Sequence, residues 1–189
     1  MKTRASRLAL AGVAVLVVLG ISTYGARADF VVRTVDTRFA NDVLHINSVL
    51  DMSLNTKSEE ALNKGIAFDV VTNLALVEHR RFLWNRVVTD RTLRQRVQYH
   101  ALSGQYLVSD AQDVERFPTA QAALAYVGTL NNMQIPLAKK KAIDGKMRYS
   151  LKLRIHLDIE SLPAPLRPLA YVTPSWHHNS GWTTWAVRQ

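Results

Sequence analysis

The chain has 189 residues, a formal net charge of +9 and no cysteine. Its length suits one domain with a hydrophobic core of its own. The absence of cysteine excludes disulfides, thiol redox chemistry and cysteine-ligated metals. The glycines after residue 28 are scattered, which excludes a glycine-rich loop of the kind that cradles phosphates.

The first 28 residues have the layout of a secretory signal peptide. A positively charged start is followed by the uncharged apolar run Leu8–Ile21 and then by the small residues Ala26 and Ala28 of a cleavage site. We therefore predict a signal-peptide helix over residues 1–28, cleavage before Asp29, and a periplasmic or secreted bacterial protein. The run of 14 residues is shorter than the roughly 20 that span a bilayer. An uncleaved inner-membrane anchor at residues 8–21 is the alternative.

Alternating apolar residues predict strands in the first half of the remaining chain. Phe30–Arg38 is rich in Val and Thr, and most even positions of Val43–Leu54 and Ile66–Glu78 are apolar. Arg91–Leu102 follows the pattern less strictly. Its predicted inward residues are Leu93, Val97, Tyr99 and Ala101.

Two short helices are predicted between the strands. Thr56, with a glutamate three residues later, has the pattern of a capping box before a helix over Lys57–Lys64. Thr119 is placed to cap a second helix over Ala120–Leu130, whose apolar stripe would lie on a sheet.

The second half holds the clearest strand, Lys146–Glu160, after the turn signal Asp144-Gly145. Strict alternation over this length predicts one buried and one solvent face. Gln105–Ser109 and Val114–Phe117 read as a hairpin, and the proline spacing of Leu162–Pro168 favours an extended, polyproline-like backbone. We therefore predict a mainly β, antiparallel β-sandwich-like fold with two short helices in one domain over residues 29–189.

The C-terminal half also carries the most specific motifs. Gln134–Leu137 precedes the long strand, the segment Leu162–Tyr171 contains Pro-Leu-Arg-Pro, and spaced tryptophans follow from Trp176 to Trp185. With these motifs, and with the stretch from Tyr99 to Val108, the chain resembles the DUF4390 family of exported proteobacterial proteins of unknown function. The resemblance implies a small envelope domain with no assigned activity. It also implies a membrane sensor kinase as a possible partner, because such genes are often neighbours.

Candidate catalytic and metal-binding residues are sparse. His177 and His178 are adjacent, and neighbouring side chains of an extended segment point to opposite faces, so we predict no metal site and no cofactor. Asp158 and Glu160 are expected on one strand face as a solvated charge ladder, and Ser180 lacks the nucleophile-elbow pattern. A carbohydrate-active or other hydrolase that uses Asp158, Glu160 or Ser180 is the alternative function.

Positive charge is concentrated between His79 and His100, where six arginines accompany a single aspartate. Arg94 and Arg96 share one strand face, and Lys146, Arg148, Lys152 and Arg154 share the solvent face of another strand. If those faces align in one sheet, they form a positive wall that favours anionic partners. Export argues against nucleic acid as that partner. A basic face that only keeps the protein soluble is the alternative.

The stretch Arg80–Arg86 joins two predicted strands and is expected to form a hairpin tip. Its apolar residues Phe82 and Trp84 between arginines suit a membrane interface or a protein-binding hot spot, unless they fold into the core. Three of the four tryptophans, Trp176, Trp182 and Trp185, are expected to seal the core, with a ligand platform as the alternative.

These observations predict a non-enzymatic binding domain at the cell envelope. The partner would be an envelope or membrane protein, such as a sensor kinase, or the anionic membrane surface; the oligomeric state stays open. The predicted binding residues are Arg80, Arg81, Phe82, Trp84, Arg94 and Arg96.

Overall fold

A computed structural model describes residues 30–40, 43–137 and 148–187. The predicted signal peptide or anchor, with Ala26 and Ala28, and the predicted turn at Asp144-Gly145 lie outside these residues. In the described ranges no helix is both long enough and apolar enough to cross a bilayer.

The described chain is mainly β, as the sequence predicts. In order, its elements are β1 (Phe30–Ala40), β2 (Val43–Met52), α1 (Thr56–Asn63), β3 (Phe68–His79), β4 (Arg86–His100), β5 (Gln105–Ser109), β6 (Val114–Phe117), α2 (Ala120–Val127), β7 (Thr129–Pro136), β8 (Arg148–Leu157), α3 (Arg167–Val172) and β9 (Thr183–Ala186). One-turn 3-10 helices lie at Ile159–Ser161 and Pro174–Trp176.

The strands form two antiparallel sheets. The smaller sheet has the order β1-β2-β7, and the larger has the order β6-β5-β4-β3-β8-β9. Apolar residues of both sheets and of α1 and α2 belong to one buried cluster, so the predicted antiparallel fold is confirmed. Strand β7 is not predicted from the sequence, because two adjacent asparagines interrupt its alternation.

Strand β8 carries the alternation that the sequence predicts. Leu151, Leu153 and Ile155 are fully buried, while Lys152 between them is exposed. Strand β3 lies between β4 and β8 and is buried on both faces. Its outer Val71 is paired with Arg94 and His156, whose longer side chains flank it.

The helix ends differ in part from the predictions. The N-cap of α1 is Asn55, whose Oδ1 accepts a hydrogen bond from Ser58 N at 3.1 Å, so the capping box predicted at Thr56 is wrong. Thr119 caps α2 as predicted. That helix ends at Val127, because the carbonyl of Gly128 already accepts the backbone N–H of Leu50 at 2.8 Å and the chain continues into β7.

Two further predictions fail near chain turns. The proline-rich segment does not run extended over its whole length; it makes a turn at residues 164–166 and then forms the third helix, α3. Pro168 lies in its first turn, where the missing N–H of proline is tolerated. Ala101, predicted to point inward, is exposed in the turn after β4.

Candidate functional site

The link between β3 and β4, residues 80–85, forms the hairpin tip. Its three consecutive large apolar side chains lie in solvent: Phe82, Leu83 and Trp84 are 88%, 65% and 93% exposed. The guanidinium of Arg81 lies 5.5 Å from the centre of the Phe82 ring. The core alternative for Phe82 and Trp84 is therefore wrong, since single exposed apolar residues are ordinary but three in a row at a loop tip are not.

A buried carboxylate organises the base of the tip. Glu78 accepts hydrogen bonds from Arg80 Nε at 3.1 Å and from Arg86 Nε at 2.8 Å and Nη2 at 2.5 Å. Burial opposes its ionisation, but the hydrogen bonds and charges of Arg86 and Arg80 together lower the pKa of Glu78. Glu78 is thus ionised at neutral pH and fixes both arginines at the start of the tip.

Beside the tip, the outer face of the large sheet forms a cavity of about 880 Å³, the tip groove. Small side chains of β8 and β9 leave this space, because Ser150 and Ala186 are directly paired across the two strands. His79 and Arg148 are paired at the end of β3 and β8. The described residues that line the groove are His79, Arg80, Arg81, Arg148, Tyr149, Ser150, Thr184 and Ala186.

Arg94 and Arg96 lie farther along the same outer face and are held by aspartates. Arg96 donates from Nε to Asp69 Oδ1 at 2.7 Å, and Arg94 donates from Nη1 to Asp158 Oδ2 at 2.5 Å. Hydrogen bonds to Asp158 and Asp69 raise the pKa values of Arg94 and Arg96 respectively. We call these four residues the arginine–aspartate cluster.

The predicted alignment of basic side chains on one sheet face is thus present, but the charge of this face is not uniformly positive. Strands β4 and β8 flank β3, so Arg94 and Arg96 share the outer face with Arg148, Lys152 and Arg154. Asp69 and Asp158 neutralise the far end of this face, however. Arg86 and Arg94 are separated along β4 by roughly 26 Å at about 3.3 Å per residue, so the six predicted binding residues divide into two groups.

Some of the residues predicted for the alternative hydrolase function lie close together. Asp158, Glu160, His156 and His177 line a second cavity of about 270 Å³, the lateral cavity, together with Tyr171 and Arg154. Ser180 is not among its described lining residues. Ser180 Oγ instead accepts the backbone N–H of Ile155 at 3.0 Å and donates to the carbonyl of Gly181 at 2.8 Å.

Both carboxylates of the lateral cavity already have partners. Asp158 lies past the end of β8, bonds Arg94 and accepts from the backbone N–H of Glu160 at 3.0 Å. Glu160 lies in a 3-10 helix and accepts a hydrogen bond from the hydroxyl of Tyr171. The prediction that Asp158 and Glu160 share a strand face is therefore wrong, because the strand ends at Leu157.

The histidines of the C-terminal segment point in different directions. His177 is exposed, whereas His178 is buried, stacks on Phe30 with ring centres 5.3 Å apart, and places Nε2 2.8 Å from Ser58 Oγ. Ser58 is fully buried and also donates to the carbonyl of Ser175 at 3.0 Å. This arrangement ties the segment to α1. In the described ranges no group of three His, Asp or Glu is placed to hold a metal ion.

The three C-terminal tryptophans have different environments. Trp176 is buried and packs edge-to-face on Phe68 at 6.0 Å, as expected of a core-sealing residue. Trp185 is half-buried in β9, but Trp182 is 53% exposed, so the prediction that all three seal the core is wrong for Trp182.

The sequence did not reveal which acidic residues hold the arginines or which polar residues meet in the tip groove. Asp69 and Glu78 lie within otherwise apolar stretches of β3, where an isolated acid signals a buried charge with partners. His79 and Ser150, which bond each other at 2.7 Å in the tip groove, carry no such signal. Their meeting depends on the pairing of β3 with β8.

Comparison with known proteins gives one match. A family model described as "Domain of unknown function (DUF4390)" matches residues 27–186, which confirms the resemblance. No curated protein matches, and no solved structure matches.

Proposed function

Because the chain belongs to the DUF4390 family of domains of unknown function, we propose its function from its surface: it is a non-enzymatic binding domain that attaches to an anionic membrane surface through the hairpin tip. The observation that carries the proposal is the exposure of Phe82, Leu83 and Trp84 next to arginines. Aromatic and aliphatic side chains enter the interfacial region of a bilayer, and neighbouring guanidinium groups meet its phosphates.

The energetic gain from such a contact is sufficient for reversible attachment. Burying one large apolar side chain contributes about 1.5–3 kcal/mol, and each cationic side chain near an anionic membrane adds about 1 kcal/mol. Three apolar residues with Arg81 beside them therefore exceed the few kcal/mol that a weak, reversible contact needs. The predicted export signal would put this tip in the compartment that faces an envelope membrane.

The direct test is binding to vesicles by the protein purified in the form in which the cell produces it. Binding to phosphatidylglycerol vesicles is expected to exceed binding to phosphatidylcholine vesicles. The double variant Phe82→Ser/Trp84→Ser should bind the anionic vesicles at least about tenfold more weakly. In the wild type, lipids brominated near the headgroup should quench Trp84 fluorescence, a contribution that the variant lacks.

The matched control is Leu102→Ser/Val172→Ser, which removes two exposed apolar side chains elsewhere on the domain. This control should bind like the wild type, and neither double variant should change the free energy of unfolding by more than about 0.5 kcal/mol. Equal vesicle binding by wild type and the tip variant would overturn the proposal. A photocrosslinker at position 84 that captures one envelope protein, such as a sensor kinase, instead of lipid would reassign the tip to a protein partner.

The lateral cavity supports a second candidate, a carbohydrate-active or other hydrolase. The supporting observation is that Asp158, Glu160 and His156 line one cavity. Burial, reinforced by Arg154 and Arg94 and opposed by Asp158, lowers the pKa of His156, so its imidazole is neutral and able to accept a proton at pH 7. This candidate requires turnover of nitrophenyl glycosides or esters that Glu160→Gln and His156→Gln abolish. The absence of turnover by the wild type would refute it for those substrates.

A further inference from the structure

The tip groove has the chemistry of an anion site. Two guanidinium groups, of Arg81 and Arg148, line it without a carboxylate within ion-pair distance in the described part of the chain. Arg80 contributes a third guanidinium that is held through Nε by Glu78. None of the described lining residues is acidic. Among the described residues, an anion that enters the groove therefore meets cationic or neutral side chains.

The groove also has polar groups that are held in place. His79 Nε2 and Ser150 Oγ lie 2.7 Å apart, and Ser150 is buried at the floor. This contact holds the imidazole against the floor of the groove. Guanidinium groups bind phosphate through paired N–H donors. Because His79 and Ser150 bond each other, the neutral pair has one further donor, the hydroxyl or the other ring nitrogen, to offer such a group.

We propose that the tip groove binds a phosphate-bearing organic group of the size of a lipid headgroup. Its volume of about 880 Å³ exceeds what inorganic phosphate fills and lies in the range of sites for larger organic ligands. Arg81 and Arg148 are assigned to the phosphate oxygens, and the bonded pair of His79 and Ser150 donates one further hydrogen bond to the phosphate. Thr184 and Ala186 form the side of the groove along β9.

This inference rests on the proposed membrane attachment, because the tip would then present the groove to the headgroup layer. The aromatic residues and the groove have separate tasks in this arrangement. Phe82 and Trp84 enter the interface, and the groove selects a headgroup by its phosphate. The same chemistry would also accept a soluble organophosphate, and the experiment distinguishes the two sources.

The test compares two double variants that each remove two guanidinium groups, one pair at the tip groove and the other at the far end of the outer face. Arg81→Gln/Arg148→Gln alters the groove, and Arg94→Gln/Arg96→Gln alters the arginine–aspartate cluster. Binding of glycerol 3-phosphate, measured by calorimetry, is expected to weaken at least about tenfold in the groove variant. It should change by less than about twofold in the cluster variant, because those arginines already bind aspartates. Thermal unfolding checks that both variants are folded.

The outcomes separate this inference from the proposed function. Equal weakening by both double variants, or no binding of glycerol 3-phosphate by the wild type, overturns the groove site while the vesicle result for Phe82→Ser/Trp84→Ser still stands. Binding of glycerol 3-phosphate without any binding to phosphatidic acid vesicles supports the groove but assigns it a soluble ligand, and then the membrane proposal fails. Groove-dependent binding of both probes supports the headgroup assignment.

Discussion

The two ends of the outer sheet face differ in what their arginines contact. At the far end, Arg94 and Arg96 are bonded to Asp69 and Asp158. At the tip end, Arg81 and Arg148 line a groove without described acidic residues, while Glu78 holds Arg80 and Arg86 from the inner face of the sheet. An exposed arginine is therefore not by itself a free charge. The carboxylates on the neighbouring strands decide whether it stabilises the fold or remains available to a partner.

The comparison also explains why exposed apolar residues gather at one end. The arginines of the far end attract external anions less strongly, because each is paired with an aspartate and the charges of an ion pair largely cancel. Around the tip, the uncompensated charge and the side chains of Phe82, Leu83 and Trp84 are adjacent. Of the two ends, as far as the structure describes them, the tip end combines the two features that an anionic, partly apolar surface would recognise.

The largest loss of stability is expected when the ion pairs at the far end of the outer face are broken. Asp69→Asn removes the charge that accepts from Arg96 Nε at 2.7 Å and Nη2 at 3.2 Å. Asp69 is buried, but its partners are about half exposed, so we expect a loss of about 1–2 kcal/mol in the free energy of unfolding. Urea denaturation measures this loss.

Asp90→Asn is the matched control, because Asp90 lies exposed on the same face of β4. It should change the free energy of unfolding by no more than about 0.5 kcal/mol. A cost for Asp69→Asn as small as that of the control would mean that the cluster does not stabilise the fold.

A smaller effect, with a defined pH dependence, is expected at the base of the tip. Glu78→Gln should cost about 1 kcal/mol of stability at pH 7, because Arg80 and Arg86 lose their charged acceptor. The pKa of Glu78 is lowered in the folded state, so its contribution is complete above the unfolded value of about 4.3 and is lost as the pH falls through the folded pKa.

Urea denaturation from pH 7 down to acid checks this expectation. The stability difference between wild type and Glu78→Gln should shrink below a pH of about 4.3. A difference that stays constant over this range would show that the carboxylate charge is not what holds the two arginines.

The smallest expected change in stability comes from making the tip groove resemble the far end. Thr184→Asp adds a carboxylate to the groove on an exposed position of β9. It should leave the free energy of unfolding within about 0.5 kcal/mol of the wild type, yet weaken glycerol 3-phosphate binding several-fold by repelling the phosphate and pairing with an arginine. Thr184→Asn is the neutral control in calorimetry, and equal affinities of the two variants would contradict the assignment.

Much of the fold was predictable because it depends on local patterns. The alternation in β8 and β2 predicted their buried residues, and Thr119 predicted the start of α2. The hairpin tip was also predictable, because a link as short as residues 80–85 joins two consecutive strands as an antiparallel hairpin. Two predictions were wrong. The cap of α1 is Asn55 instead of Thr56. The proline-rich segment forms α3, whose first turn accepts Pro168.

The alternation along β2 and β8 was enough to predict that their inward apolar side chains are buried, because burial on one face follows the two-residue period of a strand. Burial on both faces of β3 and the pairing of the arginines depend on neighbouring strands, so they follow from the tertiary structure alone. Arg94 meets Asp158, a residue 64 positions away, because β3 pairs with β4 on one side and β8 on the other. Ion pairing depends on distances of a few ångströms between strands, and strand order and register set those distances.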